Sequence, residues 1–197
     1  MALTNHLVIF ARVPRMGTGK RRLAADIGAV AALAFQRTTL AGTVRRLART
    51  RRWKTWLALT PAANGTYGQE ASVMRQPRGD LGTRMGAVAA SLPPGPVIIV
   101  GSDIPAIRPR HIAEGFRLLG ARDAVFGPAS DGGYWLIGLR RRPRFICPFD
   151  GVRWSTPNAL KDTLRNLPGH RIGQLDCLDD IDTGEDYRHH NKRKRKP

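Results

Sequence analysis

Apolar residues along this chain fall into short continuous runs, separated by longer stretches in which they recur every three or four positions. His6 to Ala11 is one such run, closed by Arg12-Val13-Pro14-Arg15-Met16-Gly17-Thr18-Gly19, and it predicts a buried strand feeding a glycine-containing loop. From Lys20 to Arg49 the composition is helical, with Leu23, Ile27, Val30, Leu33, Leu40, Val44 and Leu47 as apolar positions; Gly28 and Gly42 interrupt it, predicting one kinked helix or two. Trp53 to Thr60 alternates as a strand that stops at Pro61, and residues 62–71 read as loop. Val73 to Gln76 is a short third strand, and Leu81 to Leu92 a helix with Asp80 near its start. After the turn Pro93-Pro94-Gly95-Pro96, Val97 to Val100 forms the clearest strand, and Pro109 to Leu119 a helix with proline in its first turn. Strands over Asp123–Phe126, Tyr134–Leu139 and His170–Leu175 and a helix over Pro157–Leu167 complete the reading. Such alternation predicts an α/β fold, a three-layer αβα sandwich on a mostly parallel sheet, with ligands at the carboxyl ends of the strands.

At 197 residues, 42% of them apolar, the chain is expected to form one domain over residues 1–188. Residues 189–197, with Lys192-Arg193-Lys194-Arg195-Lys196, read as a disordered basic tail, because adjacent like charges repel and bury nothing. The 33 Lys and Arg against 15 Asp and Glu give +18, a field that draws polyanions: nucleotides, phosphorylated metabolites, or nucleic acid held nonspecifically. The cationic run Arg45, Arg46, Arg49, Arg51, Arg52 and Lys54 reads first as a solvated helix face. Cys147 and Cys177 lack the spacing of a zinc or redox pair, and no run approaches the ~20 apolar residues of a membrane span. A cytoplasmic protein with no membrane partner is expected.

The chemistry-bearing residues cluster at predicted strand ends. Arg12, Pro14, Gly17, Gly19, Lys20 and Arg22 form a loop between strand and helix that can offer backbone N–H groups and cations to phosphate. It is not a Walker A loop: Pro14 stands where the first glycine belongs and Arg21 where Ser or Thr would ligate magnesium. Asp103 ends the best strand just before Ile104-Pro105, where a carboxylate held by a rigid turn can bind Mg²⁺; the competing reading is a turn cap formed with Ser102. Asp180 or Asp182 can supply a second carboxylate, with an N-cap of the segment Thr183–Tyr187 as the alternative for Asp182. Asp131-Gly132-Gly133 is a strong hairpin-turn signal that also lets a ligand approach the backbone, with Tyr134 and Trp135 beside it. Asp80, Gly82 and Arg84 form a loop-to-helix transition able to contact a base or phosphate, or simply to cap the helix; Trp154-Ser155-Thr156 reads as a loop and cap. The dispersed histidines carry no metal-ligand spacing.

Taken in order, Phe10-Ala11-Arg12-x-Pro14-x-x-Gly17-x-x-Lys20-x-Arg22-Leu23, Gly79-Asp80-Leu81-Gly82-x-Arg84-Met85, Gly101-Ser102-Asp103-x-Pro105, Gly127-Pro128-Ala129-x-Asp131-Gly132-Gly133-Tyr134, Trp154-Ser155-Thr156 and Asp180-Ile181-Asp182-Thr183-x-Glu185-Asp186 resemble the radical-SAM/selenodomain-associated transferases of the glycosyltransferase-A superfamily. The layout is also similar to that of 2-phospho-lactate and molybdenum-cofactor guanylyltransferases. The resemblance spans roughly Leu7 to Tyr187 and implies a nucleotide-diphospho-sugar transferase fold. It places Ala11, Arg12, Gly17, Lys20, Arg22, Asp80, Gly82, Arg84 and Ser102 on the nucleotide, Asp103 and Asp182 on Mg²⁺ or Mn²⁺, and Asp131, Gly132, Gly133, Trp154 and Ser155 at the acceptor. Arg21 and Arg12 stand where that family usually has Thr and commonly has Lys, changes that keep or add positive charge.

The expected activity is metal-dependent nucleotidyl transfer: NMP moves from an NTP to a phosphorylated small-molecule acceptor with release of pyrophosphate, Lys20, Arg12 and Asp103 being the catalytic residues. The cation-rich first loop favours a triphosphate. Glycosyl transfer from a nucleotide sugar is the alternative, and a non-enzymatic nucleic-acid-binding role the third reading.

Overall fold

The computed structural model describes residues 3–61 and 71–194. The loop expected over 62–71 therefore lies, but for its last residue, outside the described residues, as do 195–197 of the tail. Thirteen elements follow in the order β1 (His6–Arg12), α1 (Arg21–Ile27), α2 (Ala29–Ala48), β2 (Lys54–Thr60), β3 (Ser72–Arg75), α3 (Leu81–Ser91), β4 (Val97–Gly101), α4 (Pro109–Leu119), β5 (Ala124–Pro128), β6 (Tyr134–Leu139), α5 (Ala159–Arg165), β7 (Ile172–Gln174) and α6 (Gly184–Lys194).

All seven strands join one sheet in the order β3-β2-β1-β4-β6-β5-β7. β6 alone runs against its neighbours, Leu139 pairing with Val97 of β4 and with Ala124 of β5; the remaining pairs are parallel. The result is a mostly parallel sheet with helices on both faces, the three-layer α/β arrangement expected from the sequence. Strand alternation divides the core in two. Leu7, Ile9, Leu57, Leu59, Ile98 and Val100 point to one face, against Leu40, Val44 and Leu47 of α2 and Ile112 of α4. Val8, Ala58, Val97 and Ile99 point to the other, against Met85, Val88 and Ala89 of α3. Strands buried on both faces must be apolar at every position, which is why they appear as runs rather than alternations.

The long helical stretch is two helices, broken at Gly28, whose φ of +87° suits glycine, while Gly42 stays inside α2. Val30, expected on the apolar face, is exposed because the break resets the helical phase. The basic segment from His189 corrects a second expectation: it continues α6 to Lys194 instead of being disordered. Its anchorage lies upstream. Thr183 accepts from the Asp186 N–H (3.2 Å) while the Asp186 carboxylate accepts from the Thr183 N–H (2.8 Å), a reciprocal cap, and Phe35 of α2 packs edge-on to Tyr187 and His190. Asp186 and Glu185 sit in the first turn and cations follow, the order that the helix dipole favours. Thr183 supplies the cap that was the alternative reading for Asp182.

Gln76, just past β3, ties the middle of the sheet together. Its amide donates to the carbonyls of Ala11 (3.0 Å) and Ala58 (2.8 Å), and its oxygen accepts from Arg84 (2.8 Å). With the side chain buried, Gln76→Ala should cost about 3 kcal/mol, because two sheet-end carbonyls and a guanidinium lose their partner together. Urea unfolding measures this; a change within about 0.5 kcal/mol would show that the amide is dispensable.

Candidate active site

The loop after β1 turns through Gly17 (φ +72°) and Gly19 (φ +74°) and delivers Lys20, itself left-handed at φ 42°, to the start of α1. A left-handed lysine costs roughly 1–2 kcal/mol, and here the side chain is held in compensation. Its ammonium lies 2.8 Å from Asp103, 2.6 Å from Asp180 and 3.5 Å from Asp182, with only 9% of the side chain exposed. Arg22 reaches the other oxygen of Asp182 at 3.4 Å. Burial disfavours the charge on Lys20, but Asp103 and Asp180 outweigh it and hold the group well above the ordinary lysine range. Burial raises the Asp180 carboxyl, with repulsion from Asp103 and Asp182 adding to it against the pull of Lys20.

Asp103 sits where two cavities meet. The smaller, about 240 Å³, is lined by Arg12, Pro14, Gly19, Lys20, Ser102 and Asp103, with Phe10, Phe35, Gln36 and Thr39 closing it. The larger, about 450 Å³, is lined by Asp103, Asp131, Gly133, Ser155, Thr156 and Asp180, with Tyr134, Trp135, Trp154, Met85 and Leu81 as its apolar walls. Among the described residues no Lys or Arg lines the larger one. Both open at the carboxyl ends of the central strands, as the sheet topology requires.

Several predicted residues therefore come together: Arg12, Lys20 and Ser102 in the smaller cavity, Asp131, Gly133, Trp154 and Ser155 in the larger, Asp103 in both, and Asp182 beside Lys20. Others do not line either. Ala11 is buried in the core, its carbonyl taken by Gln76. Gly17 has open space around it, and Arg22 reaches the site only through Asp182. Asp80 caps α3, accepting from the Thr83 N–H at 2.7 Å, and Arg84 is engaged by Gln76. Gly82 is a packing glycine, since a Cβ would fall 2.7 Å from the Trp154 ring. Gly132, at φ +83°, is backed by the Pro157 carbonyl and turns the β5–β6 hairpin. Of the two carboxylates that the sequence offered beside Asp103, the resemblance chose Asp182 alone, whereas Lys20 meets both Asp180 and Asp182, which bracket the buried Ile181. Gln36 carried no signal, and Phe10 stood only as the start of the first motif.

The donor chemistry around Lys20 fits a hard divalent cation: all oxygen, with three carboxylates facing two cationic side chains. Among the described residues no three His, Cys, Asp or Glu side chains are grouped closely enough to hold an ion unaided. Water and ligand phosphate oxygens would have to complete such a shell, the habit of Mg²⁺. No helix of the described residues is long and apolar enough to cross a membrane.

Residues 43–156 match the model of a family described as an uncharacterized protein conserved in bacteria, DUF2064. The chain belongs to that family. No curated protein matches this DUF2064 member. Among solved structures it is similar to a protein from Desulfovibrio desulfuricans G20, provisionally named a nucleotide-diphospho-sugar transferase, with 26% identity, TM-score 0.90, and coverage of 99% of this chain and 89% of that one. A nucleotidyl transferase from Methanothermobacter thermautotrophicus is 14% identical (TM-score 0.66; 96% and 97% covered). Rv0371c from Mycobacterium tuberculosis H37Rv, solved in complex with manganese, is 19% identical (TM-score 0.56; 96% and 98% covered). The last two are likenesses of fold.

The wall carrying Trp154 to Thr156 is fixed by the buried Asp162, which receives two parallel bonds from the Arg153 guanidinium (2.8 and 2.9 Å) and one from its N–H (3.2 Å). Arg153 holds the Asp162 carboxyl down to about 2. Because that pKa is depressed in the fold, the stabilisation is complete above about pH 4 and fades as pH falls towards 2. Asp162→Asn should be less stable at neutral pH and should lose less stability than wild type between pH 4 and 2. Parallel pH profiles of the two proteins, measured by denaturant unfolding, would refute the clamp.

Proposed function

We propose that this protein is a metal-dependent nucleotidyl transferase. The observation that carries the reading is the position of Lys20: one ammonium joins the glycine loop to the Asp103, Asp180 and Asp182 carboxylates at the divide between two cavities. The smaller cavity, with Arg12, Lys20 and the Gly19 backbone, suits the phosphates of an NTP. The larger suits the body of an acceptor, which is neutral and polyhydroxylated to judge by its aromatic walls, hydroxyls and carboxylates; a phosphate on that acceptor would face Lys20. The fold likeness to a nucleotidyl transferase and the motif resemblance to 2-phospho-lactate and molybdenum-cofactor guanylyltransferases support the same reading.

In this mechanism an acceptor phosphate oxygen attacks the α-phosphorus of the NTP, the bond to the β-phosphate oxygen breaks, and pyrophosphate leaves with the electron pair. Arg12 and Lys20 neutralise charge building on the leaving group, and the protein's contribution is alignment and electrostatics without a covalent intermediate. A triphosphate offers Lys20 a competing anion, so binding it draws the ammonium off the carboxylates. Asp103, with Asp180 or Asp182, would then hold Mg²⁺ or Mn²⁺, whose charge neutralises phosphate oxygens; the manganese complex of Rv0371c supports this choice of ion.

Glycosyl transfer from a nucleotide sugar is the second reading, favoured by the cation-free lining of the larger cavity and by the name of the D. desulfuricans relative. Thermal unfolding with each NTP and with UDP-, GDP- and ADP-sugars, in Mg²⁺ and in EDTA, separates the two. An NTP at 100 times its dissociation constant should stabilise by roughly 2.7 kcal/mol, only with metal. A shift confined to one nucleotide sugar would move the assignment to glycosyl transfer. Asp103→Ala should abolish the metal-dependent shift and Lys20→Ala should weaken triphosphate binding at least tenfold; if both variants bind as wild type does, the site is misassigned.

A further inference from the structure

A third cavity, of about 360 Å³, lies at the opposite edge of the sheet. β6 is the reversed strand, so while Tyr134 at its start faces the candidate active site, its end at Leu139 emerges where β4 and β5 begin. The separation along the strand is about 17 Å. The chain continues as Arg140-Arg141-Arg142-Pro143-Arg144, and all four arginines line this cavity together with Asp123, Ile146, Leu167, Gly169 and His170.

The charges there do not balance. Among the described residues Asp123 is the one carboxylate of the lining, and it is already occupied: it accepts from the Arg171 N–H at 2.9 Å and faces the Arg171 and Arg140 guanidinia at 3.4 and 3.5 Å. Arg141 is steered inward by a left-handed backbone (φ 61°); one terminal nitrogen donates to the Leu92 carbonyl at 2.8 Å, and the other is buried without a partner among the described residues. Arg142 and Arg144 make no hydrogen bond or ion pair among the described residues. Cations gathered in a concave site, with their single counter-charge spent, create a potential that a compact multivalent anion satisfies better than solvent does. Guanidinium forks match phosphate oxygens in pairs.

We propose that this back-edge cavity binds an oligophosphate group, either inorganic or the phosphate tail of a nucleotide, with Arg142 and Arg144 as its principal ligands and Arg140 and Arg141 beside them. Its concave form and modest volume favour a compact chain of two or three phosphates over the extended backbone of a nucleic acid. This site shares no lining residue with the two cavities at the opposite edge and does not depend on the activity assigned to them.

The test is calorimetric titration of the full chain with inorganic tripolyphosphate in EDTA at about physiological ionic strength, where exposed single charges are largely screened. Arg142→Ala/Arg144→Ala, shown by its circular dichroism melt to be folded, should bind at least tenfold more weakly than wild type. Competition with ATP distinguishes the sources: equal displacement means that the site reads only the phosphates, and tighter ATP binding that also disappears in the double variant means a nucleotide tail. Undiminished binding by the double variant, loss of binding in Lys20→Ala alone, or displacement by a short single-stranded oligonucleotide at concentrations where ATP fails would each overturn the proposal.

Discussion

The electrostatic junction at Lys20 is the constraint around which the rest of the candidate site is arranged. Its members come from the loop after β1, the end of β4 and the segment before α6. Taking an ammonium largely out of water is unfavourable, and only several carboxylates can compensate. Those carboxylates in turn repel one another, which is visible in the raised Asp180. The junction is therefore stable as a set and unstable in parts, the property expected of a place where one cation exchanges for another as a ligand arrives.

The architecture isolates this junction from the job of holding the fold. Gln76, the Thr183–Asp186 cap and the Arg153–Asp162 clamp fix, respectively, the sheet end, the acidic segment and the aromatic wall. None of them lines either cavity. The groups that line the cavities are thus left with unspent capacity: Arg12 is exposed at the mouth of the smaller one, and the carboxylates of Asp103 and Asp180 are about two-fifths exposed.

The fold was readable because a sheet covered on both faces demands uninterrupted apolar runs, clearest in β1 and β4, and because proline or glycine ends the runs of β2, β3, β4 and β5. Boundaries depending on tertiary contacts were less so. Nothing local distinguishes Gly28 from Gly42; only the position of α1 over Ile181 and Tyr187 decides that the chain bends at the first. Charge repulsion suggested disorder after His189, but Phe35, some 150 residues upstream, supplies the packing that lets the helix continue. At the site, acidic residues at strand ends were legible as chemistry. Gly82, Gly132 and Asp80 stand in equally suggestive motifs yet serve packing, turning and capping, since a glycine chosen for close approach has the same letter whether the approaching group is a ligand or a tryptophan.

Asp26 of α1 accepts from the Gly184 N–H at 2.7 Å, so the first helix of the chain fastens the start of its last. The order of synthesis gives this closure a meaning in time. Lys20 is made before Asp103, and Asp180 and Asp182 follow only after all seven strands of the sheet. Until they arrive the central sheet can assemble around an incomplete junction, and a nascent chain interrupted late would keep the layers of the fold while lacking the charges that finish the site.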